Sequence, residues 1–137
     1  MPSPSALGPT EAPRILVVDD DESLRGMLEL MLKWAMPDSV VETAEDGLAA
    51  QARIPALEPH LIITDLQMPK LDGSGLCRWV KSNGFAHTKV LVFTGNPHCG
   101  LLAQALEAGA DAWLAKPPKV AELLFHVEEL LAGAVPS

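Results

Sequence analysis

The 137 residues include no tyrosine, only three Phe and three Trp, and just two Cys. So few rings shift the expected core onto aliphatic packing. Two cysteines, Cys77 and Cys99, are too few for a disulfide framework and match no metal-ligand spacing, so a reducing compartment is the simpler expectation. Basic residues are also scarce: ten Lys and Arg stand against eighteen Asp and Glu, a net charge of −8. A nucleic-acid-binding face must neutralise phosphates, so direct contact with nucleic acid is not expected. The acidic balance instead suits a protein that binds a cation. No apolar run approaches the roughly 18 residues of a membrane span. The N-terminus lacks the basic and apolar regions of a secretion signal, and a cytoplasmic location is expected.

What is present is a repeating alternation of apolar runs and amphipathic stretches. Residues 1–13 carry four of the twelve prolines along with Ser, Gly and Thr, and are read as a disordered leader. One domain is expected over 14–133, followed by a short tail, 134–137. Strands are expected near 14–19, 40–44, 60–65, 89–94 and 111–115, and helices near 22–35, 46–54, 73–83, 98–108 and 119–132. The punctuation agrees: Asp21 or Ser23 caps the first helix, Pro37 stops it, Asp46-Gly47 opens the second and Gly109 follows the fourth. Strands 1, 3 and 4 are almost wholly aliphatic, as strands covered on both faces should be, while strand 5 reads as an edge. Five such units with right-handed crossovers give an α/β doubly wound parallel sheet with helices on both faces.

Polar residues close the apolar runs. Ile15-Leu16-Val17-Val18 leads into Asp19-Asp20-Asp21, Leu61-Ile62-Ile63-Thr64 into Asp65, Val90-Leu91-Val92-Phe93 into Thr94, and Ala112-Trp113-Leu114-Ala115 into Lys116. In an open parallel sheet these ends share the carboxyl edge, where ligands bind. Asp19, Asp20 and Asp65 gathered there would repel one another unless a cation intervened. Oxygen-only ligands select Mg²⁺, with Mn²⁺ as a substitute. A plainer reading makes Asp19 to Asp21 simple helix caps, Thr94 the start of a turn and Lys116 a surface residue. A carboxylate beside such a cation can also act as a nucleophile toward phosphorus, with Lys116 and Thr94 meeting the charge of the transferred group.

Taken together, the runs ILVVDDD, LIITDLQMPKLDG, VLVFTG and GADAWLAKPP resemble the response-regulator receiver domains of bacterial two-component signalling, over about residues 14–133. The resemblance implies a flavodoxin-like (βα)5 fold with strand order 2-1-3-4-5. It implies phosphorylation of Asp65, Mg²⁺ held by Asp19, Asp20, Asp65 and the backbone carbonyl of Gln67, Thr94 as the switch hydroxyl, Lys116 as a phosphoryl contact, and a cis Lys116–Pro117 peptide. A sensor histidine kinase or histidine phosphotransfer domain is then the expected donor. A downstream protein is expected on the face of helix 4, strand 5 and helix 5. A stand-alone receiver, monomeric or dimerising on phosphorylation, is expected to act through that partner without turning over an external substrate.

Some positions depart from the family pattern. Trp113 stands where a switch Tyr, Phe or His is usual, and is either a rotating switch or a static, half-exposed edge residue. Gly95 replaces the more common Ala after Thr94, and Pro118 follows Pro117 where an aromatic residue is usual. On the first helix Leu24, Leu28, Met31 and Ala35 form one apolar stripe, and Met27, Leu30 and Trp34 a second. The first should face the sheet. The second is expected to pack against the last helix, with a docking face as the alternative. His60, His87, His98 and His126 lack ligand spacing and are expected at the surface or its boundary. Two other functions stay open: a receiver-like module that binds without phosphorylation, and an aspartyl-nucleophile phosphatase. Gln67 counts against the second, because those enzymes carry an acid two residues after the nucleophile.

Overall fold

The computed structural model describes residues 12–133; the expected tail, 134–137, and all of the leader except its last two residues lie outside them. Pro13 already takes part in the fold, since its carbonyl accepts a 2.8 Å hydrogen bond from Val40 N–H. Ten elements alternate: β1 (Arg14–Val18), α1 (Glu22–Ala35), β2 (Val40–Ala44), α2 (Gly47–Leu57), β3 (Leu61–Asp65), α3 (Gly73–Ser82), β4 (Lys89–Thr94), α4 (Gly100–Glu107), β5 (Ala112–Ala115) and α5 (Val120–Gly133). The strands form one parallel sheet in the order β2-β1-β3-β4-β5, as expected.

Strand alternation divides the core in two. Leu16, Val18, Ile62, Val90 and Val92 face α2, α3 and α4, meeting Ile54, Leu76, Val80 and Leu102. Ile15, Val17, Ile63, Leu91 and Phe93 face the other way, toward Leu28 and Leu32 of α1 and Leu123, Val127 and Leu131 of α5. Each fully buried Leu or Ile contributes on the order of 2 kcal/mol, so the central strands β1, β3 and β4 carry much of the stability.

Local chemistry sets the helix starts. Oδ1 of Asp21 accepts from the N–H groups of Ser23 and Leu24, Asp46 from Ala49, and Asp72 from Gly75. Cys99 begins α4 without a side-chain cap. Helix α2 runs on to Leu57 through Pro55, beyond the expected end at 54, because Ile54 and Leu57 are both buried in the core. Asp111 lies just outside β5, and its Oδ2 instead accepts Val90 N–H at 2.8 Å and Lys81 Nζ at 3.1 Å.

Two expectations are overturned. Met27, Leu30 and Trp34 do not pack against α5: they are 46, 72 and 82% exposed, because α1 turns only Leu28 and Leu32, flanked by Leu24 and Met31, toward the sheet. His60 is fully buried. Its Nδ1 accepts from Arg14 N–H at 3.0 Å, while its own N–H and carbonyl bond Arg14 and Lys89. His60 closes the amino edge of the sheet at the start of β3, with its imidazole and N–H on β1 and its backbone carbonyl on β4. His87 and His98 are exposed and His126 is half-buried. Trp113 lies 39% exposed on the edge strand β5.

Candidate functional site

In the order β2-β1-β3, the chain leaves β1 in one direction and returns past it to β3, so a crevice opens between the carboxyl ends of β1 and β3. Asp19 follows β1 and Asp65 ends β3, and with Asp20 their carboxylates offer oxygens that lie within 4.8 Å of one another. Asp19 is fully buried, Asp65 nearly so, and Asp20 faces solvent. From the next strands come Thr94, buried at the end of β4, and Lys116, just past β5. Thus the sheet gathers all five side chains at its carboxyl edge.

The ammonium of Lys116 donates to Asp65 Oδ2 at 2.8 Å and lies 3.4 Å from Asp19 Oδ2. It also lies 5.7 Å from the centre of the Phe93 ring, a cation–π contact that anchors it at the cleft wall. Burial favours loss of its proton, but the hydrogen bond to Asp65, followed by the charges of Asp65 and Asp19, outweighs this and the pKa rises. The peptide between Lys116 and Pro117 is cis.

Asp19 is held from several sides. Its N–H donates to Ala44 carbonyl at 3.2 Å, its Oδ1 accepts Asp21 N–H at 2.8 Å, and its carbonyl accepts Arg25 Nη1 at 2.7 Å. Burial pushes its carboxyl above the usual 3.8, against the lowering effect of Asp21 N–H and Lys116, and Asp65 adds to the rise. Oδ2 of Asp19 has no hydrogen-bond partner although it is buried. A buried carboxylate oxygen facing two more carboxylates, with one ammonium nearby, has the chemistry of a divalent-cation ligand, so the residues fit Mg²⁺.

Gln67 is exposed, and its N–H donates to Asp65 Oδ1 at 3.3 Å, orienting the second oxygen of that carboxylate. Thr94 is not bonded to the acidic cluster. Its Oγ1 accepts Asn96 N–H at 3.0 Å and donates to Asn96 carbonyl at 3.1 Å, closing a turn after β4. Trp113 stands one residue before Leu114, paired with Val92, so its ring belongs to the outer edge and not to the crevice.

Other residues set the loop after β3, which the strand pattern alone does not reveal. Gly73 donates to Leu66 carbonyl at 2.8 Å, and a Cβ there would lie 2.5 Å from Asp65 carbonyl oxygen and 2.9 Å from Leu66 Cα. Gly47 approaches Leu71 as closely, since its Cβ would meet that carbonyl oxygen at 2.3 Å. Only glycine lets the two helix starts close on the loop after β3. Lys70, at φ +71°, reaches back to Asp46 at 3.4 Å. The Ala49 N–H on Asp46, opposed by burial and aided by Lys70, holds that carboxyl below its ordinary value.

Among known proteins, residues 15–128 match the family described as the response regulator receiver domain. The chain is 38% identical over 120 residues to the DNA-binding dual master transcriptional regulator RpaA of Synechocystis, covering 87% of this chain and 49% of that protein. It is 37% identical over 123 residues to the response regulator MprA of Mycolicibacterium vanbaalenii, covering 90% and 52%. The chain therefore spans about half the length of these relatives. Among solved structures, the receiver domain of a signal transduction histidine kinase from Syntrophus aciditrophicus superposes with a TM-score of 0.81 at 32% identity, covering 89% of this chain and 92% of that one. The receiver domain of the sensor histidine kinase PA1611 from Pseudomonas aeruginosa, with a magnesium ion coordinated in its active site cleft, gives 0.80 at 26% identity, covering 89% and 99%. No helix among the described residues is long and apolar enough to cross a membrane. Sheet order, acidic crevice and sequence match agree, and the chain belongs to the response regulator receiver domain family, a signalling module of two-component systems.

Proposed function

We propose that this receiver takes a phosphoryl group onto Asp65 from the phosphohistidine of a sensor kinase or phosphotransfer protein. The observation that carries this reading is the Asp65 carboxylate itself, nearly buried, bonded by Lys116 at 2.8 Å and faced by Asp19 and Asp20. A carboxylate oxygen attacks phosphorus, the P–N bond to the donor imidazole breaks with its electron pair returning to the ring, and an acyl phosphate remains. Asp19, Asp20, Asp65 and the Gln67 carbonyl would hold Mg²⁺, with Mn²⁺ as a substitute, and the ion supplies neutralisation of the charge on the transferred group.

Lys116 keeps the acceptor oriented before transfer and meets phosphoryl charge afterwards. Thr94 then exchanges Asn96 carbonyl for a phosphoryl oxygen, which releases the turn that leads to α4. This biases the face of α4, β5 and α5, where Leu106, Trp113, Val120 and Phe125 are exposed, toward a downstream protein. Trp113 starts from an outward position, from which an inward turn would add to the switch. Cytoplasmic signalling by changed protein–protein binding, with a phosphorylation-dependent dimer as one form of it, follows from the same reading.

The test is intact mass after incubation with acetyl phosphate, with and without Mg²⁺, for the wild type and Asp65→Asn. A single phosphoryl adduct that needs both Mg²⁺ and Asp65 is expected. No adduct in the wild type, together with no beryllofluoride binding, would sink the phosphoacceptor reading and favour a module that binds without phosphorylation.

A further inference from the structure

Arg25 lies on α1, one turn beyond the cap residue Asp21, yet its side chain turns back past the helix start. Its Nη1 donates to the carbonyl of Asp19 at 2.7 Å, while its own N–H donates to the Asp21 carbonyl at 2.9 Å. We propose that Arg25 is a positioning residue for the cation site, fixing the Asp19–Asp20 peptide so that both carboxylates face Asp65. This inference rests on the phosphoacceptor reading above and deepens it.

The peptide plane supplies the physical link. Once the Asp19 carbonyl is tied to Arg25, the planar unit also fixes the opposite N–H and the direction in which Asp20 leaves the chain. Asp19 needs little further help, because its N–H and Oδ1 are already bonded by Ala44 and Asp21. Asp20 is exposed, and among the described residues its carboxylate has no hydrogen-bond partner. Its carboxylate can approach those of Asp19 and Asp65 only if the backbone aims it there. The guanidinium therefore stabilises a geometry that three like charges oppose.

Charge alone makes the opposite demand. Arg25 lines a cleft of about 330 Å³ beside Asp20, Glu22, Glu45, Asp46 and Lys70. A cation there repels an incoming Mg²⁺, so an Arg25 that acted only through its charge would weaken binding. Removing it would then tighten the site. A positioning role gives the reverse sign, and second partners of metal ligands typically change affinity 10–100-fold when removed.

The experiment is Mg²⁺ titration of the full chain by calorimetry, with Mn²⁺ electron paramagnetic resonance as a second probe, for the wild type, Arg25→Met and Arg25→Lys. Arg25→Met is expected to raise the dissociation constant about tenfold. Arg25→Lys, which keeps a donor but not the fork, should recover part of the loss. At saturating Mg²⁺ the rate of phosphorylation by acetyl phosphate should return to within about twofold of wild type, since the acceptor and Lys116 are untouched. Thermal unfolding without metal identifies any variant that does not fold, in which case Arg25→Lys alone decides by the sign of its change. Unchanged or tighter binding, or a rate deficit that persists at saturation, overturns the proposal. Absence of cation binding in the wild type would defeat the phosphoacceptor reading itself and the role of Arg25 with it.

Discussion

Lys116 Nζ sits between two carboxylates, 2.8 Å from Asp65 Oδ2 and 3.4 Å from Asp19 Oδ2, and reaches them from a different strand end. Before any cation arrives, this ammonium is the nearest counter-charge the site has.

Lys116→Met should therefore destabilise the metal-free protein by about 2 kcal/mol, in the range of a charge-assisted hydrogen bond. The pKa of Lys116 is raised on folding, so its contribution is complete below the unfolded value of 10.5 and is lost as pH rises through the higher folded value. Urea titrations at neutral pH and above pH 11 check this. An equal gap between variant and wild type at both pH values would contradict it.

Asp19 works in the other direction. Its folded pKa is raised above 3.8, so the native state holds its proton more tightly than the unfolded chain, and stability falls as pH climbs through that window. Asp19→Asn should stabilise the metal-free protein at neutral pH, read as a higher Tm. The advantage should vanish as Mg²⁺ is added, because only the wild type gains from binding. Calorimetric scans across a Mg²⁺ series would show it.

Two glycines that look alike in the sequence should respond oppositely to alanine. At Gly73 the new methyl would press on the backbone of Asp65 and Leu66, so a loss of about 2 kcal/mol and slower phosphorylation are expected. At Gly26, inside α1 with nothing within 4 Å, alanine should stabilise by about 0.7 kcal/mol. Denaturant midpoints of the two variants decide.

Trp34→Lys should lie within about 0.5 kcal/mol of wild type, since the ring is 82% exposed. It should also remove the indole most open to iodide, because Trp113 is 39% exposed and Trp79 is partly buried and stacked on Phe85. A loss of several kcal/mol would show that α1 buries this face in solution.

The strand ends are legible because burial and chemistry separate cleanly there: the aliphatic run Ile15 to Val18 stops at Asp19, and Leu61 to Ile63 leads through Thr64 to Asp65. Periodicity could not tell which stripe of α1 is covered. Leu30 and Leu28 carry the same side chain, and only the placement of the sheet distinguishes them. The burial of His60 escapes the sequence pattern for a related reason, since its partner Arg14 lies far away in sequence and the pairing exists only once β1 and β3 align. Arg25 and Gly73 left a faint local signal, an arginine one turn after a capping aspartate and a glycine after another. Their contacts, however, run to backbone atoms that sequence spacing does not locate.

Cys77 and Cys99 differ in a way that turns the unmodified chain into its own reporter. Cys77 lies on the buried face of α3 and burial pushes its thiol up to about 11, while Cys99 is half-exposed at the start of α4. Thiol reagents need an accessible sulfur, so a maleimide dye should attach at Cys99 alone. That dye would sit at the fifth residue after Thr94, at the far end of the turn that Asn96 closes. Its colour and brightness would then follow the chemistry of the acidic crevice in real time, without a single engineered residue.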